Sequence, residues 1–317
     1  MLRRLRSENA SGIVLGPGRR RGLLVPLVLL VVLLGVVGSL ASSLVDVESA
    51  DATITAASGV SPPALQAFSV GALPPRLSGG ATMAAQPYGS GFWIVHPDGG
   101  VFGYVSAPFL GSLPGLGIHV EDIVGMAVTP DGNGYWLVGS DGGVFAFGDA
   151  TFMGSMAGTP LNAPVVAIAV TPDGKGYWLV ASDGGVFAFG DAVFSGSLVG
   201  MPLDAPVIDM TADPAGGYWL VASDGGVFSF GGAPFMGSMA GQPLNQAMVG
   251  VTSVPGGVGY WLVASDGGVF AFGGAPWYGS LAGTPLPSRT VGLYSVSLSD
   301  NVFNYVVVEA NGGATGF

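Results

Sequence analysis

The chain of 317 residues contains no cysteine and carries a formal net charge of −11. Without cysteine there is no disulfide framework, no thiolate metal site and no cysteine nucleophile. The acidic balance argues against nucleic acid and anionic lipid surfaces as partners, and suits basic partners, cations or plain solubility.

Six of the nine basic residues (Arg3, Arg4, Arg6, Arg19, Arg20 and Arg21) fall within residues 1–22, ahead of an uncharged apolar run over residues 23–45. Such a run spans a hydrocarbon core of ~30 Å at ~1.5 Å per residue. The arginines before it keep the amino terminus in the cytoplasm. The expectation is a transmembrane signal anchor at 23–45. Ser39-Leu40-Ala41, a small-Xaa-small triplet, supports a cleavable signal peptide as the other reading. Either way the remainder is exported, as the extracellular domain of a single-pass cell-membrane protein or as a secreted protein. From Asp46 onward 19 acidic residues face three basic ones, a net of −16. Residues 46–65, rich in Ala, Ser and Thr and containing Ser61-Pro62-Pro63, read as an extended linker.

Residues 66–317 are repetitive. The run Trp-Leu-Val-Xaa-Ser-Asp-Gly-Gly-Val-Phe recurs with little change around Asp98, Asp141, Asp183, Asp224 and Asp266, spaced 43, 42, 41 and 42 residues apart. A weaker sixth copy occupies residues 305–313. A fixed period near ~40 residues, built of short apolar runs, predicts a propeller or a solenoid. In the copy over residues 164–205, Val165–Val170 is a β-branched strand that ends at the turn Thr171-Pro172-Asp173-Gly174. Residues 177–181 form a second strand, and Ser182-Asp183-Gly184-Gly185 reverses the chain into a third over 186–189. Residues 192–198 read as a fourth. The Gly-Gly and Pro-Asp-Gly breakers exclude a helical repeat; a parallel β-helix is the structural alternative.

The last copy ends after three strands. Residues 68–77 repeat the spacing of a fourth-strand segment with no three strands ahead of it. An amino-terminal strand completing the sixth blade fits both observations, and the 252 residues of 66–317 make six units of 42. The expected fold is all-β: a six-bladed β-propeller of four-stranded blades, closed by an N-terminal strand and preceded by one transmembrane helix. A seven-bladed ring, or a partial ring completed by a partner, is the lesser option.

The turn aspartates, with Asn311 in the sixth place, suggest calcium ligands or, more simply, side chains capping their own turns. Trp93, Trp136, Trp178, Trp219 and Trp261 sit in the most apolar strand, which favours packing with each indole N–H on a carbonyl over a sugar-stacking array. Departures from the repeat are the better functional candidates. Asp209 replaces the small residue (Gly125, Ala167, Gly250, Gly292) of the channel-lining first strand, and reads as holding a water or, alternatively, a cation or ligand. His119, Glu121 and Asp122 lie in a connection of unusual sequence, and His96 interrupts the pattern two residues before Asp98. Acid/base or metal chemistry is conceivable there, but the set falls short of three ligands, and a surface loop is the simpler reading. Trp277, beside Tyr278, replaces a fourth-strand Phe and suggests a rim contact. No nucleophile elbow or phosphate loop is present.

The stretch Asp-Gly-Gly-Val-Phe-Ala-Phe-Gly-Asp-Ala-Xaa-Phe-Xaa-Gly-Ser at residues 141–155 and 183–197 resembles that of exported actinobacterial tandem-repeat proteins, similar to WD40- and NHL-type propellers. The resemblance covers about residues 66–317 and implies a propeller without a defined activity, so no catalytic residue is carried over. The expected function is a membrane-tethered or secreted, non-catalytic binding or scaffold module for a protein or an envelope polysaccharide. It is expected to be a monomer, with no cofactor, no metal and no nucleic-acid partner. The alternatives are a hydrolase-type enzyme with its site at the central mouth, and a calcium-dependent surface protein.

Overall fold

The computed structural model describes residues 52–53, 69–70, 82–87, 91–299 and 302–317. The basic segment, the apolar run at 23–45 and most of the linker and of residues 68–77 lie outside the described residues. Among the described residues no helix is long and apolar enough to cross a membrane.

Two short strands, β1 (Ala52–Thr53) and β2 (Ser69–Val70), pair antiparallel, and β1 lies beside the last strand of the chain. A three-stranded antiparallel unit then recurs six times. The first sheet is β3 (Thr82–Ala85), β4 (Phe92–Val95) and β5 (Val101–Tyr104); the second is β6 (Ile123–Val128), β7 (Gly134–Gly139) and β8 (Val144–Gly148). The third is β9 (Val165–Val170), β10 (Gly176–Ala181) and β11 (Val186–Gly190); the fourth is β12 (Val207–Ala212), β13 (Tyr218–Ala222) and β14 (Val227–Phe230). The fifth is β15 (Met248–Ser253), β16 (Gly259–Ala264) and β17 (Val269–Gly273); the sixth is β18 (Thr290–Ser299), β19 (Val302–Glu309) and β20 (Ala314–Gly316). First strands follow one another side by side from β3 to β18, and β18 in turn touches β3. The arrangement fits a six-bladed β-propeller.

The middle strands are buried along both faces, as in Tyr177, Trp178, Leu179 and Val180, because each sheet is sandwiched between two others. Six apolar clusters result, one at each junction between neighbouring sheets. At five junctions a Trp of one sheet packs against a Tyr of the next, with ring centroids 5.4–5.8 Å apart, from Trp93–Tyr135 to Trp261–Tyr305. The turn aspartates cap their turns: Asp183 Oδ1 accepts the Gly185 N–H at 2.9 Å, and Asn311 does the same for Gly313 at 2.9 Å. Gly184 follows at φ 77°, where an added Cβ would stand 2.5 Å from Leu198 Cβ. Only glycine meets both demands.

The expected fourth strand is a correction. Residues 192–198 and the matching segments that follow β8, β14 and β17 form no strand, so each of the six repeated sheets has three. The reason is visible in the hydrogen bonds. Trp178 Nε1 donates to Val193 O (2.9 Å), the Tyr218 hydroxyl donates to Gly196 O and accepts from Ser195 N, and Leu198 N donates to Gly184 O. Aromatic side chains from the two flanking sheets satisfy the backbone that a ladder otherwise would.

Candidate functional site

Residues from all six first strands surround a central cavity of about 640 Å³, and Asp209 lines it. The register sets its environment. Asp213 N donates to Gly217 O across the turn, and Asp209 pairs with Val221 four residues earlier, so the alternate N–H of Met210 faces the channel. Asp209 Oδ1 accepts that N–H at 2.8 Å, and Oδ2 accepts the N–H of Val251, on β15 of the next sheet, at 2.9 Å. The carboxylate thus holds main-chain groups of two neighbouring inner strands, where a water had been the simplest expectation. Burial pushes its pKa up to about 7, against the opposing pull of the two N–H bonds. Thr252 makes a comparable link one sheet further on, donating from Oγ1 to Leu293 O at 2.8 Å. Both positions tie inner strands together.

His119 and Glu121 are exposed on the connection after the 3-10 turn Pro114–Leu116, and Asp122 is half-buried, 3.5 Å from the Ser140 hydroxyl. His96 is elsewhere, buried edge-on to Phe102 with its Nε2 unpartnered. Burial lowers its pKa, with Asp98 opposing. The two histidines do not converge. Among the described residues no group of three His, Asp or Glu is placed to hold a metal.

At the outer edge the picture differs. Trp277 is 61% exposed, and its counterparts Phe109, Phe152, Phe194 and Phe235 are 56–63% exposed. Tyr278 is half-exposed, packed on Tyr305. Trp277 therefore shares its exposure with four phenylalanines and enlarges a feature common to five units. The repeated middle-strand Trp residues, by contrast, are buried with each indole N–H on a carbonyl, as in Trp93 to Pro108 O at 2.8 Å. The exposed ring was missed because repetition was read as scaffolding. The signal lay in an aromatic next to Gly-Ser, in a segment without alternation.

Beside Phe194 the surface dips into a pocket of about 170 Å³ formed by the connection at Asn162, the Asp183 turn, Phe187 and Ser197. Asp183 lines this pocket and accepts the Gly185 N–H through Oδ1, with no hydrogen-bond partner for Oδ2 among the described residues.

No protein-family model and no curated protein sequence matches the chain. Among solved structures it is similar to a structural genomics protein of unknown function from Bacteroides thetaiotaomicron VPI-5482. The TM-score is 0.50 and the identity 14%, over 77% of this chain and 70% of that one. The likeness bears on the fold alone.

Proposed function

We propose that this protein is a non-catalytic binding module: a six-bladed propeller held outside the cell membrane by the apolar run at 23–45, or secreted if that run is cleaved. The observation that carries this reading is the outward-facing aromatic repeated at the same place in five units. A scaffold has no need of exposed rings at every step, whereas a surface that engages a partner repeatedly does. The amino-terminal charge pattern supports export, and the resemblance to exported tandem-repeat proteins agrees with it. The sixth blade is completed, on this reading, from the amino-terminal side, where β1 lies beside β20 and pairs with β2.

The enzyme reading draws less support. Both oxygens of Asp209 are engaged by main-chain N–H groups, and His119 stands apart on an exposed loop.

Two measurements test the proposal. Protease treatment of intact cells expressing the full chain should remove the propeller from the membrane fraction while leaving a cytoplasmic control intact. Immobilised full-length protein should retain an envelope component, protein or polysaccharide, that the Phe194→Ala/Phe235→Ala/Trp277→Ala variant loses. Turnover of esters, glycosides or peptides that disappears in Asp209→Ala or His119→Ala favours the hydrolase instead.

A further inference from the structure

The pocket beside Phe194 has the chemistry of a sugar site. A pyranose ring presents a C–H face and an edge of hydroxyls, and it is held best where an aromatic face adjoins groups that both donate and accept hydrogen bonds. Phe194 supplies the exposed face, and Phe187 forms part of the wall. Around them stand the Asn162 amide and the Ser197 hydroxyl, neither of which has a protein partner among the described residues, and Asp183 Oδ2. A carboxylate, an amide and a hydroxyl together match the mixed donors and acceptors of a sugar edge. The volume suits a single ring.

The repeat multiplies this arrangement. Counterparts of Phe194 and Asp183 are Phe235 with Asp224 and Trp277 with Asp266. The Asn162 position is polar in those same units, as Asp204 and Asn245, but is Val120 in the second unit and Pro287 in the sixth. Three successive sheets, the third to the fifth, therefore carry the aromatic, the turn Asp and a polar residue at the Asn162 position, an amide in the third and fifth and a carboxylate in the fourth. In the fifth, Trp277 Nε1 donates to Val269 O at 3.1 Å, which fixes the larger indole at the start of β17. Similar sites in series suit a ligand that is itself a repeat, because linked weak contacts multiply. The net charge of −16 beyond residue 45 disfavours polyanions.

We infer that the outer edge of the third, fourth and fifth sheets binds a neutral polysaccharide, one sugar ring at each of Phe194, Phe235 and Trp277. This deepens the binding-module reading and rests on it.

The test is retention of the purified full-length protein on insoluble neutral polysaccharides (a glucan, a mannan and a galactan), with a polyuronate as the charged control. At least one neutral polymer should retain the protein, with affinity reduced at least tenfold in Phe194→Ala/Phe235→Ala/Trp277→Ala and measurably in Asn162→Ala/Asn245→Ala. The free monosaccharide should compete only weakly. All five residues are exposed, so the melting temperature should hold in both variants. If no neutral polymer retains the protein, or if the aromatic variant is retained as well as the parent, the inference is overturned. So is it by retention on polyuronate alone. Should envelope proteins still be captured through the same aromatics, the inference fails while the binding-module reading stands; with neither captured, both fail.

Discussion

Val105 has φ of 61°, the position held in the other units by Gly148, Gly190, Gly231 and Gly273 at 66–68°. A β-branched residue in the left-handed region costs roughly 1–2 kcal/mol, of which glycine's extra chain freedom returns about half. Val105→Gly should therefore stabilise the protein by about 1 kcal/mol, read as a rise of roughly 2–4 °C in melting temperature for a domain of this size. A fall would show that the Val105 side chain has packing that outweighs its backbone strain. Asp209 makes a prediction of another kind. Its folded pKa, near 7, lies above the unfolded value, so between those values the native state holds a proton that the unfolded chain has lost. The stability it contributes is complete below about pH 4 and declines as pH rises towards 7. Asp209→Asn should flatten that part of the profile relative to the parent. The difference between the two slopes integrates to roughly 1–4 kcal/mol, with the lower end favoured because the side chain is partly open to the channel. Thermal melts of both proteins at intervals from pH 4 to 8 measure it.

Among the elements, the segment over 192–198 shows how far local pattern reaches. The three strands of each unit were legible because turn chemistry brackets them: Pro-Asp-Gly and Asp-Gly-Gly leave little choice of where a strand ends. The fourth segment reads equally apolar, yet its hydrogen bonds go to Trp178 and Tyr218, which belong to two different repeats. Information of that range is absent from any window along the chain. Asp209 was legible as an anomaly but its partner, Val251, was not, since the bond crosses 42 residues. The same segment gives a sharp mutational contrast. Gly196 has φ of 130°, and a Cβ there would stand 2.7 Å from Phe230 Cδ1 of the next sheet. Gly196→Ala should cost about 1–3 kcal/mol from backbone strain, with the crowded ring adding to it. Tyr218→Phe keeps the ring and removes the hydroxyl that serves Ser195 N and Gly196 O. It should cost about 1–3 kcal/mol, because a carbonyl and an amide lose their partner together. Chemical denaturation of the two variants separates these effects: an unchanged midpoint for Tyr218→Phe means that water replaces the hydroxyl.

At the scale of the molecule the six junctions are not equal. Five share the Trp–Tyr pair, whereas the sixth, between β18–β20 and β3–β5, replaces it. Val306 stands where Trp178 does in the third sheet, and Phe92 where Tyr177 does. The junction is filled by Phe92 stacked on Tyr104, 4.9 Å apart with ring planes 6° from parallel, and by Tyr294 at 5.8 Å from Phe92. The Tyr104 hydroxyl is buried there with no partner among the described residues. Replacing an indole by an isopropyl group removes buried area and an aromatic pair worth about 0.5–1.5 kcal/mol beyond that area. An unmatched buried hydroxyl costs about 1–3 kcal/mol more. Repeat arrays open at their weakest interface, and a propeller has one such place if one junction is cheaper than the rest. Native-state hydrogen exchange should therefore find a sub-global opening in which amides of β19 and β4 exchange at lower free energy than those of β10 and β13. Tyr104→Phe should narrow that gap by removing the unmatched hydroxyl while keeping the stack, and Trp178→Phe should lower protection at β10 without changing β4. Equal protection across all six middle strands would mean that the ring unfolds as one unit and that the sixth junction is as strong as the others.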